Sequence, residues 1–542
     1  MSKSARMLIA AAFSAIWVVP TFAQQKPTEP TADHVKALIA QAQQNIAQNP
    51  AQPTSLPPQP EGPVVNLSEQ DAVNMARDKN LTLAAERITP ETFDFTIAAT
   101  RAVYLPNLTS NVQSVNQTNL NSNVFSGGVQ TKNETRSWSA GLTKRMWWGG
   151  GNYSVSWTNN RTETNSTSQN CNPCFSSGLD SIFTQPLWRN FKIDATRAQV
   201  LTNDINQSIA DINLSGQVVS ILAQVRNAYW ELAYARASVE AARRSLELAS
   251  RLVQDNRSRV EIGSMAPIEI VQAQAEEATR RQQLVNAEAT LRNNELALKR
   301  LIVSGTEDTL WKATIVPSDQ PTVTAQPIDL EGAVRNALSQ RTDLAVTKKN
   351  LEATDVNLRS LHNDMKPDLN AVGRLNLSGR GGLFLPVRDP ITGLTTVPPA
   401  GNYFGALGNI TAFEAPTWDF RLQFAYPLGK SAQEANYARQ QLLKKQTETT
   451  MKATELQIAT EVTAAALAVR NSFEAMQASQ VSRQLSEQRL EAAEAKFQQG
   501  MATNFEVVQA QRDLNDARNS ELRQMLNYQR ALVDFQRVQI TR

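Results

Sequence analysis

From Ala195 to Ile262 the chain has no proline and one glycine, Gly216, and apolar residues return every seventh position at Val218, Val225, Leu232, Val239, Leu246, Val253 and Val260. A heptad spacing holds these residues on one side of a helix, so the pattern predicts a coiled-coil seam. Three residues after them stand Ile221, Ala228, Ala235, Ala242 and Ala249, a mostly small row that lets a neighbouring helix come close. At about 1.5 Å per residue such a helix is a rod of roughly 100 Å, which must pack on other rods rather than inside a globular domain. The stretch Gly263-Ser264-Met265-Ala266-Pro267 turns it back, glycine suiting the end of one helix and proline the start of the next. The returning helix is predicted to run to about Val303.

The same design comes a second time. At a shift of 237 residues the bulky row reads Val462, Val469, Met476, Arg483, Leu490 and Phe497, broken only by the arginine. The small row reads Ala465, Ser472, Ser479, Ser486 and Ala493. A matching tip, Gly500-Met501-Ala502-Thr503-Asn504, precedes a helix to about Val538, with Asn504 as its candidate cap. Earlier in each copy Ala72-Val73 falls on Ala333-Val334, Leu83-Ala84 on Leu344-Ala345 and Pro106 on Pro367, at a shift of 261 without a gap. Phe183, Pro186 and Leu187 then match Phe424, Pro427 and Leu428 at 241, so the first copy holds 20 more residues between the two prolines. The chain therefore reads as two copies of one unit, each opening with a helix of modest length and closing with a long hairpin.

Between these helical parts the period changes from seven to two. Leu108, Ser110, Val112 and Ser114 alternate, as do Trp138, Ala140 and Leu142, then Tyr153, Val155 and Trp157. The second insert does likewise at Leu369, Ala371, Gly373 and Leu375, and at Trp418, Phe420, Leu422 and Phe424. Six of the nine tryptophans (Trp138, Trp147, Trp148, Trp157, Trp188 and Trp418) fall in these inserts, which suits the aromatic girdles of a transmembrane barrel. The alternative is a soluble sheet with an aromatic core. It would need both faces covered, and two short inserts at the ends of long rods offer nothing to cover them.

Composition narrows the remaining choices. With 542 residues, 41% hydrophobic and 19% charged, the chain is built to fold. Lys3, Arg6, the apolar run Met7 to Val19 and Thr21-Phe22-Ala23 have the layout of a secretory signal cleaved after Ala23; as a retained anchor the run is short. Removing Lys3 and Arg6 lowers the formal charge from +3 to +1, so the balance gives no argument for nucleic acid. The expected organisation is a signal at 1–23 and a Pro- and Gln-rich tail at 24–65. The first repeat follows at 66–303, with its strand insert at about 106–188 and its tip at 263–267. A linker at 304–327 leads to the second repeat at 328–542, with its insert at about 367–428 and its tip at 500–504.

Ala228-Tyr229-Trp230-Glu231-Leu232, the turn from Val260-Glu261-Ile262-Gly263 to Val271-Gln272-Ala273, Phe183-Thr184-Gln185-Pro186-Leu187, and the paired boundaries Leu105-Pro106 and Lys366-Pro367 resemble the TolC-type outer-membrane efflux proteins. The resemblance runs from about Leu67 to Val538. It implies a mostly α fold with transmembrane β: long antiparallel coiled-coil hairpins and strands shared in a trimeric outer-membrane barrel, in a duplicated α-β-α repeat. It further implies a homotrimer in outer-membrane lipid, with four strands per protomer, and tips that meet a periplasmic adaptor and an inner-membrane pump. Such a channel conducts passively as the exit duct of a tripartite efflux or type I secretion system; drugs, secreted proteins and metal ions all remain open as cargo. The first insert departs from this pattern, holding four strand-like stretches where two are needed. A periplasmic coiled-coil adaptor, or a structural protein without a channel, is the alternative; an adaptor would carry one hairpin between split β domains.

Glu269 and Glu506 occupy equivalent places just beyond the tips, and the resemblance points to an acidic periplasmic entrance there, with Gln509 where an acidic residue is sometimes found. The plainer account is that each Glu complements the positive end of its helix, a contribution of about 0.3–1 kcal/mol. Gly263, Ser264, Met265, Ala266, Gly500, Met501, Ala502 and Thr503 are the expected adaptor contacts, as the apices of otherwise packed hairpins. Cys171-Asn172-Pro173-Cys174, in Asn- and Ser-rich surroundings, suits a small loop disulfide in an oxidising compartment. With only His34 and His362 available, neither near that loop in sequence, no metal site is expected. No cofactor or catalytic motif stands out, and an enzyme is not expected.

Overall fold

The computed structural model describes residues 62–120, 130–166, 169, 171–319, 324–384, 386–388, 391, 393–396, 400–429 and 431–539. The expected signal at 1–23, and residues 24–61 of the expected tail at 24–65, lie outside the described residues, while Val64 and Val65 at the end of that tail belong to a strand. In chain order the elements begin with β1 (Val64–Leu67), α1 (Glu69–Lys79) and α2 (Leu81–Arg101). Four strands follow, β2 (Asn107–Leu120), β3 (Gln130–Arg145), β4 (Asn152–Thr164) and β5 (Cys171–Pro186). Helices α3 (Ala195–Glu261) and α4 (Ile268–Ile302) form the first hairpin, followed by α5 (Thr309–Lys312) and β6 (Thr314–Pro317). The second copy runs through α6 (Leu330–Gln340), α7 (Thr342–Asp364), β7 (Asp368–Phe384), β8 (Val387–Arg388), β9 (Thr395–Thr396), α8 (Tyr403–Thr411) and β10 (Pro416–Ala425). It ends in the hairpin α9 (Ala432–Gln498) and α10 (Asn504–Gln539).

The two long helices are equal in length, 67 residues each. Asp194 and Ser431 start them, their side chains accepting from the Arg197 and Glu434 amides. The heptad rows are where the packing is. Val225, Leu232, Val239 and Val253 are buried in the first copy, and Val462, Val469, Met476 and Leu490 in the second. Arg483, which interrupts the row, is accommodated by Glu487 at 2.7 Å and Glu521 at 2.6 Å. The largest core gathers Leu67, Val73, Leu83, Val225, Tyr229, Leu232, Leu298 and Ile302 around the middle of α3.

Each copy opens with two helices rather than one. The break falls at Asn80 and at Arg341, equivalent positions, both with extended backbone (ψ 120° and 134°). Neither proline nor glycine marks them. Asn80 makes the break by local chemistry, its side chain accepting from the Leu83 amide at 3.0 Å and donating to the Leu301 carbonyl at 2.8 Å. The stretch 304–327, read from sequence as a linker, carries α5 and β6, and β6 pairs in parallel with β1.

Six strands join in one antiparallel sheet ordered β10-β7-β5-β4-β3-β2. The resemblance implied four. The difference is the β3–β4 hairpin, whose turn 146–151 wedges between the end of α2 and the start of α3. There Trp147 stacks edge-on against Tyr104 at 5.1 Å, Trp148 meets Phe191 at 6.2 Å, and Arg197 donates to the Trp147 carbonyl at 3.3 Å.

Candidate functional site

Register across the sheet sorts side chains by face. One row reads Leu108, Leu142, Val155, Ser181, Leu375, Trp418, and the next row on that face Ser110, Ala140, Trp157, Leu179, Leu377, Pro416. Tyr153, Phe183, Gly373 and Phe420 make a third. The row between the first two, on the opposite face, reads Thr109, Gly141, Ser156, Asp180, Asn376, Thr417. Charges gather on this second face: Arg374 donates to Asp180 at 2.6 Å and Arg421 pairs with Asp419 at 2.8 Å. Over the first two rows one face is thus mostly apolar across all six strands and the other polar; Lys144, opposite Tyr153, is the charge that the third row carries on β3. The apolar face is uncovered over the two outer strands of the single chain, with Leu108, Val112, Trp418, Phe420, Leu422 and Phe424 each more than 60% exposed, while α8 lies over the part of it at Gly379 and Gly381. Strands of 10 to 17 residues are long enough to cross a bilayer, and an apolar-out, polar-in alternation is what a water-filled barrel requires. Among the described residues no helix is long and apolar enough to cross a membrane. The two outer strands, β2 and β10, are exposed almost throughout and, among the described residues, have no partner along their free edges.

At the far end of the rods both tips close in the same way. Gly263 and Gly500 adopt positive φ (76° and 72°), and the amides of Ser264 and Met501 reach back to the Arg259 and Lys496 carbonyls at 2.9 Å. Gly263, Ser264, Ala266, Gly500, Met501 and Thr503 are exposed, while Met265 and Ala502 are half-buried. The second returning helix is capped by Thr503, not by Asn504: the Thr503 hydroxyl accepts from the Glu506 amide at 3.4 Å and faces the Glu506 carboxylate at 3.3 Å. Asn504 is instead buried and donates to the Glu269 carboxylate at 3.0 Å. Glu269 therefore ties the first tip to the second, whereas Glu506 is exposed. Gln509 donates to Asp513 at 2.8 Å, one turn further along.

Two more contacts bind the tips together, and sequence reading missed both. Arg259 lies over the Phe497 ring at 4.4 Å. Glu276 and Arg280 are 3% and 4% exposed, pair at 2.5 Å, and Arg512 from the other hairpin reaches Glu276 at 2.6 Å. Burial pushes the Glu276 carboxyl up, but the hydrogen bonds and charges of Arg512 and Arg280 outweigh it and hold the group below the usual carboxylate range. The one signal in the sequence was a Glu/Arg pair at i,i+4, a spacing common on solvated faces. Cys171 and Cys174 are disulfide-bonded, at the start of β5 where the register against β7 shifts, rather than in a loop.

Comparison with known proteins agrees with this architecture. The profile of the family described as "Outer membrane efflux protein" matches residues 153–303 and 333–538, more than half of the chain. No curated protein matches the sequence. Among solved structures the chain is similar in fold to the CmeC outer membrane channel of Campylobacter jejuni (TM-score 0.62, 15% identity, 87% of this chain and 85% of that one). It is also similar to the open state of the MtrE outer membrane channel of Neisseria gonorrhoeae (0.58, 16%, 87% and 88%) and to the outer membrane protein VceC of Vibrio cholerae (0.59, 13%, 87% and 95%).

Proposed function

This chain belongs to the outer membrane efflux protein family, and on that premise we propose that three copies close one barrel and one periplasmic cylinder, forming the exit duct of a tripartite efflux or type I secretion system. The family places the protein in the outer membrane, reaching into the periplasm, as an efflux channel and not an enzyme. The observation that carries the finer reading is the two-faced sheet with two free edges. β2 runs away from the helices and β10 runs towards them, so β10 of one protomer can pair antiparallel with β2 of the next. Six strands from each of three chains would make eighteen, a wider barrel than the twelve that four strands each would give. Electron microscopy of the detergent-extracted protein should show a threefold tube well over about 100 Å long with a detergent belt at one end. Thin rods without a belt would mean that the apolar face has some other partner.

At the opposite end Gly263 to Ala266 and Gly500 to Thr503 offer six exposed apices per trimer to a periplasmic adaptor, itself coupled to an inner-membrane pump. Photo-crosslinkers at Ser264 and Met501 should capture that adaptor, and adducts that form elsewhere but at neither tip would count against the docking site. Six carboxylates, from Glu269 and Glu506, would ring the entrance. Their electrostatic role predicts that Glu269→Gln with Glu506→Gln lowers cation-over-anion permeability several-fold, by about the factor that removing six charges from a narrow mouth produces. Unchanged selectivity would leave Glu269 as a structural tie to Asn504 and Glu506 as a partner of the Thr503 cap. Transport through such a duct would be passive, powered by its partners.

A further inference from the structure

Away from the helices, the apolar face changes character within two rows. The row Val112, Trp138, Asn159, Ser177, Gly379 is followed by Ser114, Arg136, Arg161, Phe175, Gly381, and Glu134 and Glu163 stand opposite each other in the next. Arg136 and Arg161 are direct cross-strand neighbours, a like-charge pairing that costs stability unless something negative sits between or beside them. Each is partly balanced along its own strand, Arg136 by Glu134 at 2.9 Å and Arg161 by Glu163. Both guanidinium groups keep donors to spare, since each presents five N–H groups and one carboxylate uses at most two.

Directly below the arginines the chain builds a cavity of about 560 Å³ on this same face, walled by Val112, Trp138, Phe175 and Tyr403. Its roof is α8, which is seated so closely that a Cβ at Gly379 would lie 1.9 Å from the Ala406 carbonyl oxygen and one at Gly381 2.3 Å from that of Asn402. Tyr403 is fixed there by donating to the Asn159 Oδ1 at 3.0 Å and by an edge contact with Phe175 at 6.4 Å. Asn159 also lines the cavity, is 6% exposed, and its Nδ2 meets no acceptor among the described residues. A buried amide donor without an acceptor costs stability that an incoming oxygen would recover. Apolar walls, a buried donor and a pair of guanidinium groups at the rim are the surroundings that an amphiphile with a phosphate head and an acyl tail requires.

We propose that this site holds a phosphorylated lipid of the outer leaflet, its phosphate on Arg136 and Arg161, its first acyl carbons between Trp138, Phe175 and Tyr403, and an ester or amide oxygen on Asn159. The proposal rests on the barrel reading, which turns the apolar face to lipid and puts this end of the strands furthest from the helices. The phosphate can belong to a glycolipid or to a phospholipid, and the chemistry recognised is the same. The test is native mass spectrometry of the full-length protein in detergent, delipidated and titrated with diphosphorylated lipid A, with phosphatidylglycerol, and with diacylglycerol, which has tails and no phosphate. Binding of either phosphate-bearing lipid at least about tenfold above diacylglycerol is expected, and whichever binds tighter names the source. Arg136→Gln with Arg161→Gln should remove that tenfold preference, whereas Glu134→Gln with Glu163→Gln, which frees the guanidinium groups, should keep or raise it. Diacylglycerol binding as well as phosphatidylglycerol and lipid A, or a preference unchanged in the arginine variant, overturns the lipid site. Both variants are compared as belted threefold particles, so loss of the belt in the parent protein would sink the barrel reading, and loss of lipid preference in an intact particle would not.

Discussion

Replacing Glu276 by alanine is expected to release the tip-side part of both hairpins while leaving the sheet in place. The carboxylate is 2% exposed at its side chain and is shared by Arg280, itself 5% exposed, and by Arg512 of the other hairpin. Its removal strands Arg280 in the interior, a loss of about 3–5 kcal/mol of the kind seen when a buried pair loses one partner. Hydrogen exchange should report this as about two to four orders of magnitude faster opening in α4 and α10 near residues 276 and 512, with β7 and β10 unaffected. Arg512→Ala should cost only about 1 kcal/mol, because that side chain is half exposed and Arg280 still neutralises the carboxylate. Equal effects of the two variants would show that the pair is incidental to how the hairpins are joined. Replacing the two buried members together, Glu276→Met with Arg280→Leu, should restore most of the protection, since an apolar pair of similar volume has no charge to desolvate.

The same group sets an expectation for pH. Its carboxyl is held low in the folded protein, so the stability it contributes is complete above the ordinary glutamate range and is lost only as the pH falls through the lower folded value. Exchange in α4 and α10 should therefore be flat from neutral pH down to the usual carboxylate range, then rise below it in the parent protein. In Glu276→Ala this acid step should be absent.

How much of this was legible in the sequence depended on whether a feature was local. The heptad rows, the two glycine tips and the shift of 261 residues are written in single stretches of chain; α3 matches its proline-free stretch to within a residue, and α9 contains the second row. The alternation at Trp138 and Trp157 showed strands, and the 20-residue excess in the first insert showed that something had been added. It did not show where the additional hairpin goes, because that is decided by Trp147 and Trp148 meeting Tyr104 and Phe191 from other elements. Asn80 looked like any polar helix residue until its partner Leu301, 221 positions away, was known. Glu276 and Arg512 were hidden for the same reason: each is an ordinary charged residue on its own helix, and only the crossing of α4 and α10 makes them one group. Sequence reading placed Asn504 as a cap because its type fits; the capping geometry went to Thr503, one residue earlier, whose hydroxyl can reach both the amide and the carboxylate of Glu506.

The largest effect on assembly is expected from a single charge on the correct face of β10. Phe420 lies midway along the apolar face, in the row of Tyr153, Phe183 and Gly373, and is 64% exposed in the single chain. If that face meets lipid, Phe420→Arg places a guanidinium near the bilayer midplane at about 2–4 kcal/mol per copy, three times over in a trimer. The strand that suffers is also the one whose free edge must close the ring. The belted trimer should therefore fail to form, and the protein should not accumulate in the outer membrane. Gln423→Arg, three residues along and on the other face, adds the same charge beside Arg421 and Asp419, where the chain already keeps charges. It should assemble normally, and single-channel recording should find its current shifted towards anions. A lumen-facing residue and a lipid-facing residue differ here only in the parity of their position on the strand. A trimer that tolerates Phe420→Arg and is broken by Gln423→Arg would mean that the sheet is turned the other way round. Equal tolerance of both would mean that neither face meets lipid, and the eighteen-stranded barrel would go with it.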